Sequence, residues 1–277
     1  MDALTVTAAQ AACAPLDVAA NAATAAALLR RAADRGADLV VLPELFLTGY
    51  ELPAVAADPD RLAPAADDPR LDALAAACAQ TRTAVVVGTP ARDADTGALH
   101  ISALVLDRTG RPAARYDKQH ATPAERAAGF APGSRGCTLT LDGWRLGLGI
   151  CWDSGFPEHA RAAALDGCDA YLVGAMFGRG GGARQRAVVF PARALDNTCY
   201  TVLANHSGRS GPYQGCGGSA VWGPDGGLLA DAGSDDPGLA TARLDPAVLA
   251  AVRAEEPVLN DPSLTAPRRA RSSHTLG

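Results

Sequence analysis

With 277 residues, 48% hydrophobic and 20% charged, the chain can fill a sizeable core and lacks the composition of a disordered segment. A formal net charge of −5 and the absence of any Lys/Arg cluster disfavour nucleic acid as a partner and favour a small ligand. Seven cysteines, odd in number and never spaced C-x-x-C, argue against a disulfide framework or a metal cage, and neither a signal peptide nor a membrane span is readable, so reduced thiols in the cytoplasm are expected.

The first predicted element is a strand over 4–9, followed by a helix that Asp17 caps and that ends near Gly36. The continuous apolar run Asp38-Leu39-Val40-Val41-Leu42 reads as a strand buried on both faces; Pro43 stops it and leaves Glu44 at its exit. Leu71, Leu74, Ala75 and Cys78 recur at helical spacing before a strand over 84–88. Two strands, 100–107 and 111–116, flank the turn Arg108-Thr109-Gly110, and Lys118 follows the second. Another pair, 138–141 and 144–150, is joined by Asp142-Gly143, both of which tolerate the positive φ of a type I′ turn, and Cys151 lies where that pair ends. Beyond it the pattern predicts a helix over 157–166, a strand over 170–173, a helix over 183–197 and a strand over 200–205. Short strands over 219–222, 228–231 and 239–244 close the series. One domain over 1–257 is expected, with 258–277, polar and carrying Arg268, Arg269 and Arg271, as a tail at a possible subunit interface.

Glu44, Lys118 and Cys151 each fall just after a predicted strand, where α/β folds gather ligand-binding groups. Singly, each has a plain structural reading: a small buried thiol, a solvated ammonium, a loop carboxylate. Together they stand in three longer strings. Pro43-Glu44-Leu45-Phe46-Leu47-Thr48-Gly49-Tyr50, then Tyr116-Asp117-Lys118-Gln119-His120, then Gly149-Ile150-Cys151-Trp152-Asp153 with Phe156-Pro157-Glu158, resemble the three signature regions of the nitrilase superfamily of carbon–nitrogen hydrolases, in that family's order. The likeness continues through Arg193-Ala194-Leu195-Asp196-Asn197 and Ala204-Asn205.

This resemblance implies a four-layer αββα sandwich, a homodimer or dimer-based oligomer, and hydrolysis of a small-molecule amide or N-carbamoyl bond without cofactor or metal. Carried over by motif, Glu44 is the general base, Lys118 the electrostatic stabiliser and Cys151 the nucleophile. Glu125 resembles a second family acid that orients Lys118 or contacts the leaving amine, and Tyr50, Trp152, Met176 and Phe177 are candidates for the pocket wall. The chemistry is coherent, since a carboxylate can take the thiol's proton while an ammonium faces the developing negative charge. Where many family amidases have Tyr and Leu this chain has Trp152 and Ala121, which reshapes the pocket. Nitrile hydrolysis at the same nucleophile is the runner-up, disfavoured because Asp153 stands where typical nitrilases carry Glu; acyl transfer and a non-catalytic binding subunit are further alternatives.

Overall fold

The computed structural model describes residues 1–234, 237–261, 264 and 270–277. Alternation along the central strands decides its layering. In β1 (Leu4–Gln10), Leu4, Val6 and Ala8 face one side and Ala9 the other, where α1 (Val18–Ala33) packs. β2 (Leu39–Val41) divides the same way, Leu39 and Val41 against Val40, as a side-chain period of two requires. The chain then runs through α2 (Leu52–Ala57), α3 (Pro59–Leu62) and α4 (Asp72–Thr81), and α4 lies against α1 on the outer face. β3 (Ala84–Arg92), β4 (Leu99–Leu106) and β5 (Pro112–Asp117) follow as an antiparallel meander. Asp107 tightens the last turn by accepting from the N–H groups of Thr109 and Arg111.

The short helix α5 (Pro123–Ala127) leads to the second half, which opens with the hairpin β6 (Gly136–Leu141) and β7 (Trp144–Ile150). Its turn has φ of 49° at Asp142 and 84° at Gly143, the conformation their residue types favour. Next come α6 (Pro157–Leu165), β8 (Ala170–Ala175), α7 (Gly181–Asn197) and β9 (Tyr200–Asn205). The hairpin β10 (Ser207–Ser210) and β11 (Tyr213–Cys216) precedes β12 (Ala220–Trp222), β13 (Leu228–Asp231), β14 (Gly238–Leu244), α8 (Pro246–Glu255) and β15 (Arg271–Thr275).

One sheet has the order β14-β1-β2-β3-β4-β5 and the other β13-β12-β9-β8-β7-β6-β15. Leu146, Leu148 and Ile150 of β7 meet Leu39, Val41 and Val86 in the core between the sheets, while Tyr171 and Val173 of β8 pack outward with residues of α6 and α7. The result is a four-layer αββα sandwich. Glycine lets α6 and β8 come close to β7: a Cβ at Gly149 would stand 2.2 Å from the Tyr171 Oη, and one at Gly147 would stand 2.8 Å from the Ala163 Cβ.

Several segments differ from the sequence-based expectation. The glycine-rich stretch 209–218, where the sequence pattern places no strand, contains β11 and the end of β10. α8 and the small helices before α4 were not foreseen, because alanine abundance hides their periodicity. Residues 271–275, expected within a polar tail, add a strand parallel to β6; Arg268 and Arg269 lie outside the described residues. Among the described residues no helix is long and apolar enough to cross a membrane.

Candidate active site

The turn after β2 holds Glu44 between the sheets. Pro43 ends the strand, Leu45 takes a left-handed φ of 49°, and the N–H groups of Thr48 and Gly49 return to the Leu45 carbonyl. The peptide can sit there because glycines face it from both sides. A Cβ at Gly88 of β3 would lie 2.1 Å from the Pro43 oxygen, and one at Gly174 of β8 would lie 2.5 Å from the Leu42 oxygen.

Lys118 enters from the end of β5, anchored by its N–H on the Ile101 carbonyl. Its ammonium is buried and donates to Glu44 Oε1 and to Glu125 Oε1, each at 2.6 Å. Glu125 belongs to a capping box: Thr122 Oγ accepts from the Glu125 N–H, and Glu125 Oε2 accepts from the Thr122 N–H at 2.7 Å. The Tyr50 hydroxyl also donates to Glu125 Oε1. Both Glu125 oxygens are therefore engaged, whereas Glu44 Oε2 is buried and, among the described residues, accepts no well-formed hydrogen bond.

Cys151 begins the short 3₁₀ turn Cys151–Gly155 at a φ of 43°, strained for a residue with a side chain. Three contacts hold the turn. Ser154 Oγ donates to the Cys151 carbonyl at 2.7 Å, the Arg193 Nε of α7 donates to the Ser154 carbonyl at 3.0 Å, and Asp153 Oδ2 accepts from the Ile150 N–H at 3.0 Å. Asp153 ties this turn to the lysine strand as well. Its Oδ1 accepts from the His120 N–H, and its Oδ2 accepts from the Tyr116 hydroxyl, which also meets His159. Burial works against the ionised Asp153, yet His159, His120 and Tyr116 outweigh it and keep its pKa below the usual carboxylate range.

The thiol of Cys151 faces Glu44, helping to hold that carboxyl's proton affinity down, and receives the Met176 N–H. Burial nevertheless pushes the Glu44 pKa up to about 7 against the opposing pull of Lys118. Burial and the Glu44 charge drive the thiol well above its ordinary value, so it rests protonated. For Lys118, burial would lower the pKa, but Glu44, Cys151 and Glu125 together raise it, so the ammonium stays charged.

Glu44, Lys118, Glu125 and Cys151 thus converge. Of the residues read as pocket wall, Tyr50 is 5% exposed with its hydroxyl on Glu125, and Trp152 sits edge-on to Phe156 at 5.3 Å. The Met176 side chain joins the core between the sheets, and the Phe177 ring packs edge-on to Phe190 beneath α7. Sequence reasoning quoted Tyr116, Asp153 and Arg193 inside motifs but gave them no role. It gave no signal for His206, whose Nε2 meets the Glu44 carbonyl at 2.6 Å.

Residues 5–254 match the family model described as carbon-nitrogen hydrolase. A protein described as hydrolase in pqqF 5′ region, from Pseudomonas protegens, is 36% identical over 89% of this chain and 85% of its own length. An (R)-stereoselective amidase from a Pseudomonas species is 32% identical over 72% of this chain and 70% of its own. The solved amidase from Nesterenkonia superposes with a TM-score of 0.80 at 30% identity, covering 92% of this chain and 95% of that one. Variants of that amidase have been solved with butyramide and with the acetamide moiety of fluoroacetamide added covalently at its active-site cysteine.

Proposed function

This chain belongs to the carbon–nitrogen hydrolase family, and we propose that it hydrolyses a small amide through a thioester on Cys151. Amide C–N hydrolysis is the activity of its named amidase relatives; the nucleophile, the intermediate and the residue roles are our reading. One observation carries it: a buried ammonium 2.6 Å from each of two carboxylates, with a thiol facing the carboxylate whose second oxygen lacks a strong partner.

The steps follow from those positions. Glu44 takes the Cys151 proton as sulfur attacks the amide carbon, so no free thiolate need accumulate beforehand. The carbonyl oxygen becomes an oxyanion, against which the Lys118 ammonium and the Trp152 N–H place positive charge. Collapse breaks the C–N bond; Glu44 returns its proton to the leaving nitrogen, ammonia or an amine departs, and the acyl group remains on sulfur. Water, deprotonated by Glu44, then attacks the thioester and releases a carboxylic acid and the thiol. Glu125, with both oxygens engaged, suits the orienting of Lys118 rather than proton transfer.

Val188 and Leu195, two turns apart on the outward face of α7, are exposed apolar side chains, and we read that face as the surface of a homodimer. We place the enzyme in the cytoplasm, where its seven free thiols would remain reduced. The test is a panel of short aliphatic amides, N-carbamoyl amino acids and nitriles followed by ammonia release, with intact-mass detection of an acyl adduct. We expect amide turnover and an adduct that Cys151→Ala abolishes. An adduct persisting in that variant assigns the chemistry to another thiol, and turnover confined to nitriles rejects the amide reading.

A further inference from the structure

We propose that His206 is a positioning residue for Glu44, fixing the main chain from which the carboxylate reaches Lys118 and Cys151. The inference rests on Glu44 being the base and adds a group that never touches the substrate.

His206, between β9 and β10, is completely buried, and burial lowers its pKa to about 4. The ring is therefore neutral at working pH and has one N–H. A carbonyl oxygen can only accept, so the 2.6 Å contact with the Glu44 oxygen places that proton on Nε2. Nδ1 is left as an acceptor toward the Cys13 thiol, 4.0 Å away, and that sulfur lies 3.6 Å from the Ser210 hydroxyl. The residue itself is held: Phe46 stacks on the ring with centroids 6.0 Å apart, the His206 main-chain N–H donates to the Ala175 carbonyl, and its main-chain carbonyl accepts from the Gly217 N–H.

The Glu44 peptide needs such an anchor. It precedes a left-handed Leu45, and both sheets approach it through glycine backbone, where no side chain can grip. Its side chain is tied at Oε1 to Lys118, and its main chain is tied at the carbonyl to His206. Fixing both ends of one residue is what aims Oε2 at a single place. With the His206 donor gone, the buried carbonyl is unsatisfied and the turn can relax away from Lys118.

His206→Leu, His206→Gln and Glu44→Gln would be assayed for kcat, KM and the pH dependence of kcat/KM on an amide the wild type turns over. The groups facing Glu44 are Lys118, Cys151 and Glu125, with Tyr50 behind Glu125. Loosening it from Lys118 weakens the influence that lowers its pKa, so the acid limb moves up. His206→Leu is expected to lose kcat by on the order of tenfold to a hundredfold with KM little changed and the limb raised. His206→Gln, which retains an N–H of similar reach, recovers most of both.

An unmoved limb with no recovery in Gln means that the ring only supports the fold, and the proposal fails. Wild-type kcat in His206→Leu overturns it too, provided Glu44→Gln is inactive; an active Glu44→Gln instead rejects Glu44 as base. If the Leu variant does not fold, ¹⁵N histidine spectra of the wild type decide. A neutral ring protonated at Nε2 is expected, and protonation at Nδ1 alone overturns the assignment.

Discussion

Glu44 and Cys151 are tuned against each other by one shared cause. Burial raises both pKa values, that of Glu44 to about 7, so near neutrality the acid is partly ionised while the thiol holds its proton. The base must be ionised to start the reaction, and its folded pKa lies above the ordinary carboxylate value of about 4.3. Turnover should therefore rise with pH through about 7 and be lost below it, and a kcat/KM profile with its acid limb near 4 would contradict the assignment. At this scale the sequence was most legible: Glu44, Lys118 and Cys151 stood in readable strings, Glu125 was singled out outside them by a weaker likeness, and the four side chains lie together. His206 was not legible because it acts on a main-chain oxygen, a partner that leaves no mark on residue identity.

The strands and their turns carry the next layer. Gly149 occupies the strand that delivers Cys151, and the space where its side chain would stand belongs to Tyr171, whose hydroxyl meets His159 of the network reaching Asp153. Gly149→Ala should overpack that layer at a cost of about 1–3 kcal/mol, visible as a lower Tm in thermal unfolding. An unchanged Tm would show that Tyr171 can shift freely. Elements with hard punctuation were readable beforehand: Asp17 caps α1 by accepting from the Ala20 N–H, and Asp142-Gly143 makes its hairpin turn. Elements whose pairing is purely tertiary were not. β15, polar and arginine-bearing, becomes a strand only because β6 offers it an unpaired edge, whereas the polar, glycine-bearing β10 and β11 pair locally with each other as a hairpin.

For the whole molecule, β15 closes one edge of the second sheet. Arg271 Nη2 donates to the Cys137 carbonyl at 2.8 Å, and Leu276 just beyond the strand is 5% exposed. Deleting residues 270–277 should remove about 2 kcal/mol or more of burial and pairing, lower Tm by about 5 °C and bare the β6 edge to association. A truncated protein of unchanged Tm and unchanged dispersity would show the strand to be dispensable.

The proposed base, cation and nucleophile do not hang from one support. Glu44, Lys118 and Glu125 are carried by the first sheet and its connections, while Cys151 and Met176 are carried by the second. What registers the two groups is the oily seam of leucine, valine and isoleucine between the sheets, which never meets a reactant. The molecule works like a pair of jaws whose bite is set by the filling between them. A cavity or a swollen side chain deep in that filling becomes an error of aim at the teeth.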